Sequence, residues 1–284
     1  MAGTRFAALL LIAVLIQAPS TGAVGADSVL ANYSFSETTL TQWKLPSKLR
    51  EISGLVFHDG RLFTHNDQLG IVYEIDYREA RLVKAFALGK KTVRADFEGI
   101  AAVGDTFYMV TSNGRLFIAR EGGNGERVPY KSYKTKLGRR CEIEGLAHDV
   151  PGKRLLLVCK QPRSNELKGR IAIFVWSLEQ ERILESETIM VKHSAIHDLL
   201  STKHFNPSGI EVDSHTGHLL LIAARQHAIA EIDLNGQVIT AFQLPLASRH
   251  RQAEGIALTA DRDLIVADEG GRGKARLAIY EPGS

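Results

Sequence analysis

The chain has 284 residues, 44% of them hydrophobic and 24% charged, which is enough to bury a full core and excludes a disordered composition. A formal net charge of +3, with Lys and Arg spread along the chain, argues against nucleic-acid binding. Two cysteines, Cys141 and Cys159, are too few for a disulfide scaffold.

The N-terminus reads as an export signal over residues 1–26. Arg5 supplies the positive charge, Phe6 to Ala18 forms a 13-residue stretch interrupted only by Gln17, and Pro19 to Ala26 is small and polar. That stretch is shorter than the roughly 20 residues of an ordinary spanning helix, so cleavage after Ala26 is expected, with an uncleaved inner-membrane anchor as the alternative. Either way the remainder, residues 27–284, is expected outside the cytoplasm as a single domain, periplasmic or secreted. Membrane association is expected only if the segment stays uncleaved.

From Glu51 onward the chain repeats itself. Five segments start alike: Glu51-Ile52-Ser53-Gly54-Leu55, Asp96-Phe97-Glu98-Gly99-Ile100, Glu142-Ile143-Glu144-Gly145-Leu146, Asn206-Pro207-Ser208-Gly209-Ile210 and Gln252-Ala253-Glu254-Gly255-Ile256. Their glycines lie 45, 46, 64 and 46 residues apart, a period that suits a four-stranded propeller blade. After each Gly come a short apolar strand, a polar turn and a second strand such as Phe107 to Thr111 or Leu155 to Val158. A third strand alternates at period two, as in Val72 to Asp76, and Asn235-Gly236 makes a hairpin turn into Val238 to Leu244. The fold expected is all-β, a five-bladed β-propeller of four-stranded blades.

Two irregularities have their own reading. Only 29 residues follow Gly255, so the last repeat lacks a fourth strand. The alternating residues before the first repeat, Leu40 to Leu45, are expected to supply it against Leu277 to Tyr280 and so close the ring. The long third interval is expected to hold a short helix near His193 to Leu200. His193 and His197 share a face there, as zinc ligands can, but a connector helix without metal is the favoured reading. The basic run with Lys131, Lys134, Lys136, Arg139 and Arg140 fits an outer strand protected from edge pairing.

The Glu/Ser-Gly-Leu/Ile starts, Asp96-Phe97-Glu98-Gly99-Ile100 and Ala253-Glu254-Gly255-Ile256-Ala257 resemble the SdiA-regulated, YjiK-like family of exported bacterial proteins, over roughly Leu45 to Tyr280. The resemblance implies a five-bladed propeller with a bound calcium ion and a poorly defined function.

In a propeller the first strand lies nearest the axis, so Ser53, Glu98, Glu144, Ser208 and Glu254 would ring one mouth. Glu51, Asp96, Glu142, Asn206 and Gln252 point the same way. The ends of the second strands add Asn66 and Asp67, Ser112 and Asn113, Lys160, Arg225 and Gln226, and Asp268 and Glu269. Converging glutamates need a counter-charge, which a hard divalent ion with oxygen ligands supplies; alternatively each accepts backbone hydrogen bonds and locks the ring. With the resemblance, the metal reading selects calcium on Glu98, Glu144 and Glu254, with Asp67 and Asp268 as further candidates. Lys160 and Arg225 are candidates for holding a small anionic ligand, with rim ion pairs as the alternative.

Ser53 and Ser208 lack the surroundings of a nucleophile elbow. Two functions are therefore expected in order: a calcium-stabilised module that binds an anionic ligand or an envelope protein, and a calcium-dependent hydrolase of an ester, lactone or phosphoester. Cys141 and Cys159 sit on either side of the turn at Pro151-Gly152. A bridge and a pair of free thiols are both open, because a two-residue shift in register decides between them.

Overall fold

The computed structural model describes residues 28–245 and 249–283. The expected export signal lies outside the described residues. Five sheets, antiparallel but for one short strand, follow one another along the chain, as the repeat requires. After β1 (Thr41–Lys44), the first blade holds β2 (Ile52–His58), β3 (Arg61–Asn66), β4 (Ile71–Asp76) and β5 (Arg81–Leu88). The second holds β6 (Phe97–Val103), β7 (Thr106–Thr111), β8 (Arg115–Arg120) and, after a short β9 (Arg127–Val128), β10 (Tyr130–Lys134). The third has β11 (Cys141–Asp149), β12 (Arg154–Pro162), β13 (Arg170–Ser177), β14 (Arg182–Ile183) and β15 (Ile189–Lys192). The fourth has β16 (Gly209–Val212), β17 (Leu219–Ala223), β18 (Ala228–Ile232) and β19 (Val238–Gln243), and the fifth β20 (Ala253–Leu258), β21 (Leu264–Asp268) and β22 (Arg276–Tyr280).

The ring closes as the strand count predicts. β1 pairs antiparallel with β22 in the register Thr41↔Ile279 to Lys44↔Arg276, which makes the N-terminal strand the outer strand of the fifth blade. One addition was not legible in the sequence: β9 pairs parallel with β5, so the linker into β10 adds a fifth strand to the first blade.

Each gap between blades holds one buried apolar cluster, and period-two alternation feeds both neighbours. In β17, Leu219, Leu221 and Ala223 pack toward the third blade, whereas Leu220 and Ile222 pack toward the fifth. Such a strand is apolar at every position because both of its faces are covered.

Near the axis the crowding explains the glycines. A Cβ on Gly99 would stand 2.5 Å from the Leu146 nitrogen, one on Gly209 2.7 Å from the Glu254 carbonyl oxygen, and one on Gly255 2.7 Å from the Leu55 side chain. First strands of adjacent blades can approach this closely only without side chains there.

The helix α1 (His193–Leu200) occupies the expected insertion and buries Ile196 in the cluster between the third and fourth blades. His197 bonds the Thr202 carbonyl through Nδ1 (2.6 Å), and His193 accepts from the Phe205 amide (3.4 Å). These histidines serve the loop that follows, in line with a connector helix. The basic run lies on the exposed outer strand β10 and the turn after it. Cys141 and Cys159 form a disulfide with Cα atoms 5.8 Å apart. Cys159 pairs with Ile143 and Cys141 with Pro162, and a bulge between the two registers lets the sulfurs meet on a diagonal.

Candidate metal centre

The starts of the first strands and the ends of the second strands meet at one mouth, because each pair is antiparallel. Glu98, Glu144 and Glu254 all stand there, and each carboxyl is raised above its ordinary range. For Glu98 burial acts first, then the charges of Glu144, Asp96 and Glu254. For Glu254 burial is again the main cause, opposed by a hydrogen bond from Gln252 (Nε2 to Oε1, 2.8 Å), and its carboxyl is pushed up to about 7. Glu144 is buried at 4% exposure, and burial raises it against the pull of Lys160, whose Nζ lies 2.7 Å from its Oε1. Lys160 is itself half-buried; burial opposes its charge, but Glu144, Glu254 and Glu98 together hold its ammonium above the usual range.

A second focus lies beside this axial trio. Carboxylate oxygens of Glu51, Asp67 and Glu269 fall within 4.8 Å of one another, the one such grouping of metal-ligating side chains among the described residues. The Asp67 amide donates to the Glu51 carbonyl (3.0 Å) and the Glu269 amide to the Gln252 carbonyl (2.9 Å), which fixes both second-strand ends against the first strands. Burial and then the charge of Glu51 raise Asp67. Burial, then Glu254, then Glu51 and Asp67 raise Glu269. Gln252 bridges the foci, its amide donating to both Glu254 and Glu269.

Asp67 Oδ1 is buried with no hydrogen-bond partner. An acceptor left so, among carboxylates that raise one another, suits an ion with oxygen ligands, and the absence of Cys and His from the grouping suits a hard one.

Of the sequence candidates, Glu98, Glu144, Glu254, Asp67 and Lys160 come together here, while two are placed differently. Asp268 is 1% exposed and turned away to His250: a carboxylate only accepts, so His250 donates from Nδ1 to Oδ2 (2.8 Å), and its Nε2 shares a hydrogen bond with the Tyr280 hydroxyl (2.6 Å). The Gln252 backbone amide donates to its other oxygen (3.1 Å). Alternation along the strand end selects the next residue, Glu269, and that was the available signal. Arg225 lies exposed on a short turn, Ala224–Gln226, and among the described residues pairs with no carboxylate.

Four further cations lie beside Glu269. Lys44, Arg251, Lys274 and Arg276 line a cavity of about 310 Å³ whose wall includes Glu269. They come from β1, β22 and the loops around β20 and β21, so ring closure assembles them. No sequence spacing connects Lys44 to Lys274. Ser208 locks the ring by donating to the Ala253 carbonyl (2.7 Å), and Ser53 is buried, so neither is placed as a nucleophile.

The family model described as SdiA-regulated matches residues 29–271. No curated protein matches the chain significantly. Among solved structures, a luciferin-regenerating enzyme is similar at a TM-score of 0.52 and 10% identity, covering 86% of this chain and 97% of its own. The calcium-binding protein regucalcin from Agrobacterium tumefaciens is similar at a TM-score of 0.49 and 11% identity, covering 85% of this chain and 93% of its own. At such identities the likeness to the former is one of fold.

Proposed function

The chain belongs to the SdiA-regulated family, and from that premise we propose that it is an exported calcium-binding propeller that presents an anionic ligand or envelope protein with a basic cleft beside its metal. The observation that carries the calcium reading is the grouping of Glu51, Asp67 and Glu269 around an unpartnered, buried Asp67 oxygen. These three would hold the ion, with Glu254 next to them. Lys160 already neutralises Glu144 at the axial end. A bound calcium would supply positive charge that lets the carboxylates ionise together and ties the first blade to the fifth.

The cleft of Lys44, Arg251, Lys274 and Arg276 supports the anionic ligand, since four cations around one cavity favour a carboxylate, a phosphate or an acidic surface. Residues flanking the metal grouping would thus take the part that the sequence assigned to Lys160 and Arg225.

Export and metal are tested together on the chain expressed in a bacterial host. The reading predicts release by osmotic shock, a mature N-terminus at Asp27, and a melting temperature lowered by chelator and restored by calcium. A cytoplasmic, uncleaved product whose melting ignores chelator would refute it. A panel of ester, lactone and phosphoester substrates run on the same sample distinguishes a binding module from a hydrolase: calcium-dependent turnover would move the assignment to the latter.

A further inference from the structure

The channel has a second compartment at its opposite end. One residue beyond their glycines, Leu55, Ile100, Leu146 and Ile210 are each no more than 3% exposed. They form the inner end of a cavity of about 320 Å³ that opens where the first strands finish, away from the acidic mouth. All five blades contribute to it, and its volume is at the lower end of small-molecule sites, room for one small ligand.

Glu211 on β16 is the unusual member of its lining. It sits deep in the molecule yet keeps part of its surface open, and the opening is the cavity. Its Oε1 accepts from the Val212 amide at 2.8 Å. Among the described residues no cation pairs with it. Burial pushes its carboxyl up to about 8.

Most other charged and titratable groups of the cavity have partners of their own, while the imidazole of His215 also lines it. Arg262 is paired with Asp213 at the rim. His58 bonds the Gly104 carbonyl (2.7 Å), with Asp59 beside it, and burial lowers His148 against a bond with the Ala102 backbone. Phe57 and Leu258 add apolar wall. A buried acid with no cationic partner, facing a void of mixed polar and apolar wall, ionises only at a cost in free energy unless a ligand of complementary charge meets it.

We propose that this compartment binds a small organic cation, an amine with an apolar body, with Glu211 as its anionic partner. The site is separate from the calcium reading and does not depend on it.

Phenethylamine is the probe and phenethyl alcohol its neutral counterpart, titrated calorimetrically into the chelator-treated full chain. The amine is expected to bind at least tenfold more tightly than the alcohol. Glu211→Gln should abolish that preference, and Leu258→Trp, which narrows the cavity and keeps the Glu211 carboxyl, should abolish binding of both. Glu98→Gln at the acidic mouth should change neither affinity. Equal affinity for amine and alcohol, amine binding that survives Glu211→Gln or Leu258→Trp in folded protein, or no amine binding at millimolar concentration would each overturn the proposal.

Discussion

Lys160 bonds Glu144 and carries the positive charge that Glu98, Glu144 and Glu254 all feel, so removing it makes the mouth more negative. Lys160→Met is accordingly expected to raise calcium affinity, roughly threefold or more, while lowering the stability of the calcium-free protein; calorimetric titration and urea unfolding measure the two effects. The carboxyls also predict a pH dependence. Their folded-state values are raised, with Glu254 at about 7 against an ordinary 4.5. The calcium-free protein therefore binds more protons than the unfolded chain, and this contribution to stability is full at acid pH and lost as pH rises from about 4.5 through 7. In chelator, melting temperature should fall over that interval, and the increment restored by calcium should grow with pH. Melting scans at a series of pH values check this, and a calcium increment independent of pH would count against ionisation of the mouth.

At the scale of elements, local pattern predicted what local pattern determines. Period-two alternation and the Glu-Gly starts located the blades, and the missing fourth strand of the last repeat located its substitute. The β9 strand was not legible because two residues, Arg127 and Val128, carry no periodicity and pair only because the linker runs beside β5. The site was legible in part: glutamates before glycines mark the axis, whereas the Glu51, Asp67 and Glu269 grouping joins the residues just before β2 and just after β3 of the first blade to the fifth and depends on how the ring closes. The disulfide depended on a bulge in the register of β11, which spacing does not reveal. It closes a loop with a sequence separation of 18 residues inside one blade. Cys141→Ser with Cys159→Ser is expected to cost about 3 kcal/mol in urea unfolding without changing calcium stoichiometry.

For the whole molecule, closure is the common cause of stability and of the site. The N-terminal segment is fastened before it reaches β1: Glu231, fully buried on β18, accepts from Ser28 Oγ (2.8 Å), the Val29 and Leu30 amides (both 2.9 Å) and His218 Nδ1 (2.6 Å). Glu231→Ala would leave these donors without their acceptor, and a loss of about 3 kcal/mol or more is expected by urea unfolding, since several bonds to one buried charge are removed together. Closure also brings Glu269 of the fifth blade to Asp67 of the first, so an ion there would link the two ends of the ring. The most direct measurement is a calorimetric titration of calcium into chelator-stripped protein and its Asp67→Asn, Glu269→Gln and Asp268→Asn variants. One site per chain is expected, weakened at least tenfold by Asp67→Asn and by Glu269→Gln and unchanged by Asp268→Asn; no binding at millimolar calcium, or binding indifferent to Asp67 and Glu269, would contradict a calcium ion at the closure of the ring.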